Sequence, residues 1–414
     1  MIESMAETPY AQGTEFGGLT RPMRTPALIR NAFALLLTYY WALQYAITMD
    51  TEVQRGDALY YLFVVPIAAF SLTLLLGARL SRRSTPSAFW FIGYALTVML
   101  IAVVRADFQT FYNTTLFAGA ALVILVYRLT PSVNLINGLF FASIVVNTMA
   151  FASGRSIYAV LPGFSEDGEL WWRISLFPKV APSAFFALIV LFVNISRRGG
   201  TLRRTCGVLA AYFVLFSGLR SALVAGLLAA LYYGLTRRGK LKRTSAKMTY
   251  LVLSLAFFVV SLFATQLLLL LPAFGSEALN IYLFRAEGGL ESEADVARSV
   301  FRTWLWAEHV RIAAANPIFG IGTFEFGALA DYDPVVGQLG AGSESFLTGL
   351  YVRVGLPTLL LVAGFLAAIR SGAHSEERLR YVIGLLMFVA MLSYGSFINV
   401  YDFVFLVMIG LLAK

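Results

Sequence analysis

Cysteine and histidine are almost missing from this sequence. A single cysteine, Cys206, excludes an intramolecular disulfide and any site built from several thiolates. Two histidines, His309 and His374, argue against a histidine-built metal centre. Charge is scarce as well: Asp, Glu, Lys and Arg make up 13% of the 414 residues, against about a quarter in a soluble domain. What fills the space is apolar, 59% of the chain, with 34 Phe and 20 Tyr. That composition belongs to the membrane class, and the aromatics suit lipid-facing helices and interfacial belts. The net charge of +9 reads as basic cytoplasmic loops rather than as a nucleic-acid surface, and no nucleic-acid partner is expected. Residues Met1 to Thr25 are polar and lack the apolar core of a cleaved signal peptide. A disordered cytoplasmic tail over 1–30 is expected.

A membrane helix needs about 20 apolar residues. Runs of that kind predict helices near 31–48, 57–78, 86–104, 109–127, 134–152, 174–195, 205–217, 220–236, 249–271, 345–369, 380–397 and 399–413. The expected fold is therefore all-α and polytopic, with about twelve transmembrane helices. Nine lie in 31–271 and three in 345–414, and a large outer loop over 272–344 precedes the tenth. Placing the N-terminus inside puts some two thirds of the 32 basic residues on the cytoplasmic side, including Arg197–Arg204, Arg237–Lys247, Arg378 and Arg380, and most of the 23 acids outside. The basic bias of short loops sets orientation, so both termini are expected in the cytoplasm. Two outer segments stand out. One, 153–173, carries Trp171 and Trp172 as interfacial anchors. The other, 272–344, is longer than a connector requires.

Within that long loop, Ala294 to Ala315 reads as a helix that Asn316-Pro317 ends. Val296, Val300, Trp304, Ala307 and Ile312 form its apolar side, and Arg298, Arg302 and His309 its other side. An amphipathic helix lying on the bilayer explains this pattern. A phosphate-binding pocket explains it too, because Arg220, in Phe216-Ser-Gly-Leu-Arg-Ser221, is placed on the same outer face. An arginine between apolar helices needs an anion or a wet cavity, and its guanidinium matches phosphate oxygens two-pronged. Pro317-Ile-Phe-Gly320-Ile-Gly322 follows, its glycines permitting a tight turn or close backbone approach. Glu344 is a candidate general base or a helix cap at the start of the tenth helix. Arg353 is expected about 13 Å below it on the same helix, deep enough to require a partner or cavity. Lys179, between Pro178 and Pro182, is placed at the outer end of the sixth helix, snorkelling or lining a cavity.

On these residues the chain resembles the O-antigen ligase and Wzy-type polysaccharide polymerase superfamily. The resemblance spans roughly 205–370. It rests on Ser217-Gly-Leu-Arg220, Arg302-Thr-Trp-Leu-Trp306 with Asn316-Pro-Ile-Phe-Gly-Ile-Gly322, and Ser343-Glu-Ser-Phe-Leu347 with Val354-Gly-Leu356. It implies a bacterial inner-membrane glycosyltransferase that takes undecaprenyl-pyrophosphate-linked oligosaccharide to an acceptor glycan hydroxyl, at the periplasmic face and with no cofactor. Arg220, Arg302 and Glu344 become the implied catalytic residues. Arg298, Arg353, Lys179, Trp306 and His309 become substrate contacts. Membrane lipids and a chain-length regulator are the other implied partners. Ligases of this superfamily carry a His-Asn pair where this chain has Ser343-Glu344, which favours a polymerase. The rivals are an O-antigen ligase, a transporter of polysaccharide or lipid-linked sugar, and a structural envelope subunit. A transporter is expected to show repeated halves and midplane charges; here the ionisable residues gather near one face.

Overall fold

The computed structural model describes residues 27–46, 58–75, 85–105, 119–164, 170–171, 174–196, 200–237, 243–262, 307–321, 346–371, 377–393 and 403–413. These are helical almost throughout. The helices are α1 (Ala27–Ala46), α2 (Ala58–Leu75), α3 (Thr85–Val104), α4 (119–127), α5 (Val133–Ala152), α6 (Val180–Ser196), α7 (Thr201–Phe216), α8 (Arg220–Arg237) and α9 (Arg243–Leu262). They continue with α10 (307–315), α11 (Phe346–Val354), α12 (Pro357–Ser371), α13 (Glu377–Ser393) and α14 (Phe403–Leu412). A two-residue antiparallel ladder pairs Gly163–Phe164 with Leu170–Trp171 in the loop after α5. Two of these helices, in the stretches Pro86–Val104 and Val133–Ala152, are long and apolar enough to cross a membrane, and several shorter ones are apolar too. Their outward rows are apolar as well: α3 exposes Phe89, Leu96, Leu100, Val103 and Val104. Rows of that kind are rare on proteins surrounded by water.

Helices α1 to α9, and again α12 to α14, run in alternating directions, which hydrogen bonds and ring contacts at the two ends of the bundle record. At one end, the Tyr45 hydroxyl at the close of α1 donates to Leu176 O (2.8 Å), and Ile174 N donates to Phe216 O (3.0 Å) at the close of α7. Asn147, late in α5, donates to Tyr158 O and Ser175 O, each at 2.9 Å. Tyr158 and Ile174–Leu176 are thus tied to the ends of α1, α5 and α7. At the opposite end, Tyr127 donates to Leu74 O, closing α4 against α2. There the rings of Tyr232, Tyr250 and Tyr381 cluster, late in α8, early in α9 and early in α13. Arg220 lies twelve residues before Tyr232, so α8 carries it about 18 Å away, to the first end. Likewise α12 reaches the tyrosine end at Ile369, whose carbonyl accepts from Arg380. Its beginning, at Pro357, therefore lies about 18 Å off at the Arg220 end.

Packing follows from ring geometry and small residues. Phe186 sits among Phe140, Phe177 and Phe403 with centroids 5.0–6.4 Å apart, pairs that each contribute about 0.5–1.5 kcal/mol beyond area burial. Gly364 of α12 lets the Phe91 ring of α3 approach, and Phe91 meets Phe365 edge-on at 5.2 Å. Asn137 and Asn194 exchange two amide hydrogen bonds, 3.0 and 2.8 Å, in the buried seam of α5 and α6. Replacing Asn194 with Leu leaves the Asn137 amide without that partner, and destabilisation of about 1–3 kcal/mol is expected. The double replacement Asn137→Leu with Asn194→Leu is expected to recover most of it. Thermal unfolding of the purified variants reads the difference; a double variant as weak as the single one contradicts the account.

The structure differs from the sequence expectation at three places. The run 345–369 is not one helix: it breaks at Gly355-Leu356 into α11 and α12. Gly355 has φ +66°, and Pro357 cannot supply the amide that would carry the helix on. Arg353 therefore sits at the foot of a short helix beside a backbone break, not midway along a continuous one. Arg380, expected in a basic loop, is 2% exposed in the first turns of α13. Its Nη1 donates to Ile369 O (3.0 Å), near the C-terminal end of α12, where the helix dipole favours a cation. The seventh helix, expected to be short, extends back to Thr201 and is 16 residues long.

Candidate functional site at the Arg220 end

The site is built where the long loop returns to the bundle. Residues 307–315 form α10, and the chain then turns through Asn316-Pro-Ile-Phe-Gly-Ile321. That turn lies backbone to backbone on the break between α11 and α12. Ile321 N donates to Val352 O (2.9 Å), and Leu356 N reaches both Pro317 O and Ile318 O at 3.1 Å. Gly320, with φ +59°, closes the turn through its amide to Asn316 O (2.7 Å). A Cβ on Gly320 would overlap Val352 O and stand 2.6 Å from Arg353 C; a Cβ on Gly355 would stand 2.6 Å from Ile318 O and 2.7 Å from Gly320 N. Two glycines from segments far apart in sequence thus allow one contact. Gly320 makes both the tight turn and the close backbone approach that glycines in 317–322 permit.

Beneath the turn, His309 is buried, 1% exposed, alongside Ile312 and Ala313. The loop helix therefore turns His309 inward together with Ile312, where the periodicity put them on opposite sides, and Ala307 faces outward. His309 Nδ1 lies 3.5 Å from the Thr348 hydroxyl of α11. Its Nε2 has no hydrogen-bond partner among the described residues. Burial, and secondarily the nearby Arg353 guanidinium, pull the imidazole down to a pKa of about 4. The ring is thus neutral at physiological pH, one nitrogen donating and the other accepting. Because the folded value lies below the unfolded value of 6.5, the unfolded chain takes up the proton first. Stability is present above pH 6.5 and is expected to fall on acidification, by about 1.4 kcal/mol per pH unit, until pH 4. His309→Gln is expected to flatten that slope in thermal unfolding followed against pH; an unchanged slope contradicts it.

Arg220 opens α8 after a tight connection. The Ser217 hydroxyl donates to Val214 O (2.9 Å) and accepts from Leu219 N (3.2 Å), while Gly218 takes φ +62°. The Ser-Gly-Leu-Arg spacing is thus the shape of the α7–α8 joint, which presents a half-buried Arg220 at the end of the bundle where the loop docks. Helix α13 packs against both α8 and α11, so the helices carrying Arg220 and Arg353 share one neighbour. Lys179 is exposed at the same end, just ahead of α6, which runs unbroken through Pro182 in its first turn.

The structure therefore brings His309 and Arg353 together and sets Arg220 and Lys179 at the same end of the bundle. Arg298, Arg302, Trp306 and Glu344 lie outside the described residues. Thr348 escaped the sequence reading, since one threonine in an apolar run carries no periodic signal. The helix break did leave one, in Gly355-Leu-Pro357, because a residue preceding proline is pushed away from helical backbone. No protein-family model matches this chain, and no curated protein matches it.

Proposed function

We propose that this chain is a polytopic bacterial inner-membrane glycosyltransferase, a polysaccharide polymerase acting at the periplasmic face with both termini in the cytoplasm. In this reading the substrate is a glycan carried on undecaprenyl pyrophosphate, and the acceptor is the hydroxyl of a second glycan. The acceptor oxygen attacks the anomeric carbon as its bond to the pyrophosphate breaks, giving inversion. Glu344 takes the hydroxyl proton, and the electron pair leaves with the pyrophosphate. Arg220 and Arg302, helped by Arg298 and Arg353, hold that leaving group; Lys179, Trp306 and His309 line the approach.

The observation that supports the reading most is the docking of Pro317–Ile321 on the Arg353 break, at the end of the bundle that also holds Arg220. Guanidinium groups so placed can stabilise charge developing on a diphosphate. An exopolysaccharide or an O-antigen is the expected product.

Incubating the purified protein with lipid-linked oligosaccharide and no added metal tests this directly. A ladder of lengthening products is expected. A single transfer to a different acceptor indicates a ligase instead, and transport without a new glycosidic bond rejects the enzyme altogether.

A further inference from the structure

Apart from Arg311, the outward side of the loop helix and its turn is apolar. Val310 (53% exposed), Ile318 (55%) and Phe319 (51%) face away from the protein, with Ala307, Ala314, Ala315 and Pro317 beside them. Leu356 (45%), just ahead of α12, makes a matching outward row with Leu359 (58%) and Leu366 (49%) of that helix, at offsets of three and ten residues that share one stripe. The two patches are joined by hydrogen bonds. Leu356 N donates to Pro317 O and Ile318 O, so the tip of the turn stands on the first residue of the α12 stripe.

We infer that the 317–319 turn and the outward side of α10 sit in the acyl region of a lipid bilayer, continuing the stripe of α12 onto the loop. The partner is hydrocarbon, not another protein. The stripe runs down a helix that carries no charge before Arg370 in its last turn, at the far end, and it reaches Ile318 and Phe319 without a charged residue between. The charge on the outward side is Arg311, next to Val310 and seven residues before Ile318, 60% exposed and paired with Glu308 at 2.6 Å. A long side chain so placed can reach the headgroups while its helix lies lower. Insertion of the turn fixes the depth of the contact beneath it: His309, Thr348 and Arg353 are held where hydrocarbon meets headgroup, so an anionic head and its apolar tail are met on one segment. This inference rests on the membrane reading but not on the polymerase reading.

Spin labels report the depth. On a Cys206→Ala background, Ile318→Cys, Phe319→Cys and Leu359→Cys are labelled singly and placed in vesicles of phosphatidylethanolamine and phosphatidylglycerol. Dissolved oxygen is expected to relax the labels at 318 and 319 several-fold more than an aqueous nickel chelate does, as at Leu359. Labels at 318 and 319 that prefer the nickel chelate while 359 prefers oxygen overturn the inference and leave the membrane reading standing. Preference for nickel at all three positions overturns both.

Discussion

Arg302→Lys is expected to abolish chain growth while the protein still reaches the membrane at its usual level. Lysine keeps the charge but loses the planar fork that grips two phosphate oxygens at once. Under the proposed mechanism, that grip strengthens as the pyrophosphate departs, so the loss falls on the chemical step. Removing one such donor slows comparable reactions on the order of 10²–10³-fold. For a polymerase the effect compounds, because every added unit repeats the step. Polymer length on a gel, set against membrane abundance of the variant, is the readout. Normal length at normal abundance removes Arg302 from the mechanism.

Gly320→Ala and Gly355→Ala are expected to act alike and nearly as severely. Each position has positive φ, which an L side chain enters at about 1–2 kcal/mol. Each new methyl also meets backbone atoms, which cannot swing aside as a flexible side chain could. The turn must then lift off the α11–α12 break and lose the bonds from Ile321 N to Val352 O and from Leu356 N to Ile318 O. Faster amide exchange at Ile321 and Leu356 is expected, with loss of activity but retention of the helical bundle. The double variant is expected to be little worse than either single one, since both break one contact. Gly138→Ala and Gly234→Ala, where a methyl meets nothing within 4 Å, serve as neutral controls. Full activity in Gly320→Ala contradicts the docking account.

Much of the helical layout was legible because long apolar runs have few other uses. The expected spans near 57–78, 86–104, 134–152 and 220–236 coincide with α2, α3, α5 and α8 to within a few residues. What stayed hidden depended on contacts between distant segments. The break at Gly355 falls inside an apolar run, so hydropathy passes straight over it. Arg380 resembles a loop anchor until α12 is seen to end beside it. His309 looked outward on the helical stripe and is buried because α11 covers it.

Of the candidate site, the sequence marked Arg220, Arg353 and the Pro-x-x-Gly turn by residue type and spacing. It could not show that the turn and the Arg353 break are one contact. Side chains 309 and 348 meet across a sequence separation of 39 residues, and no local pattern encodes that.

Under the proposed function, Arg220 and the loop-docking end of the bundle face the periplasm. Single-cysteine variants on the Cys206→Ala background measure this with a membrane-impermeant maleimide applied to intact spheroplasts. Lys179→Cys and Arg220→Cys are expected to label, while Arg30→Cys and Arg370→Cys, exposed at the opposite end, are expected to label only after lysis. Labelling of 30 and 370 in intact spheroplasts, with 179 and 220 protected until lysis, contradicts that orientation.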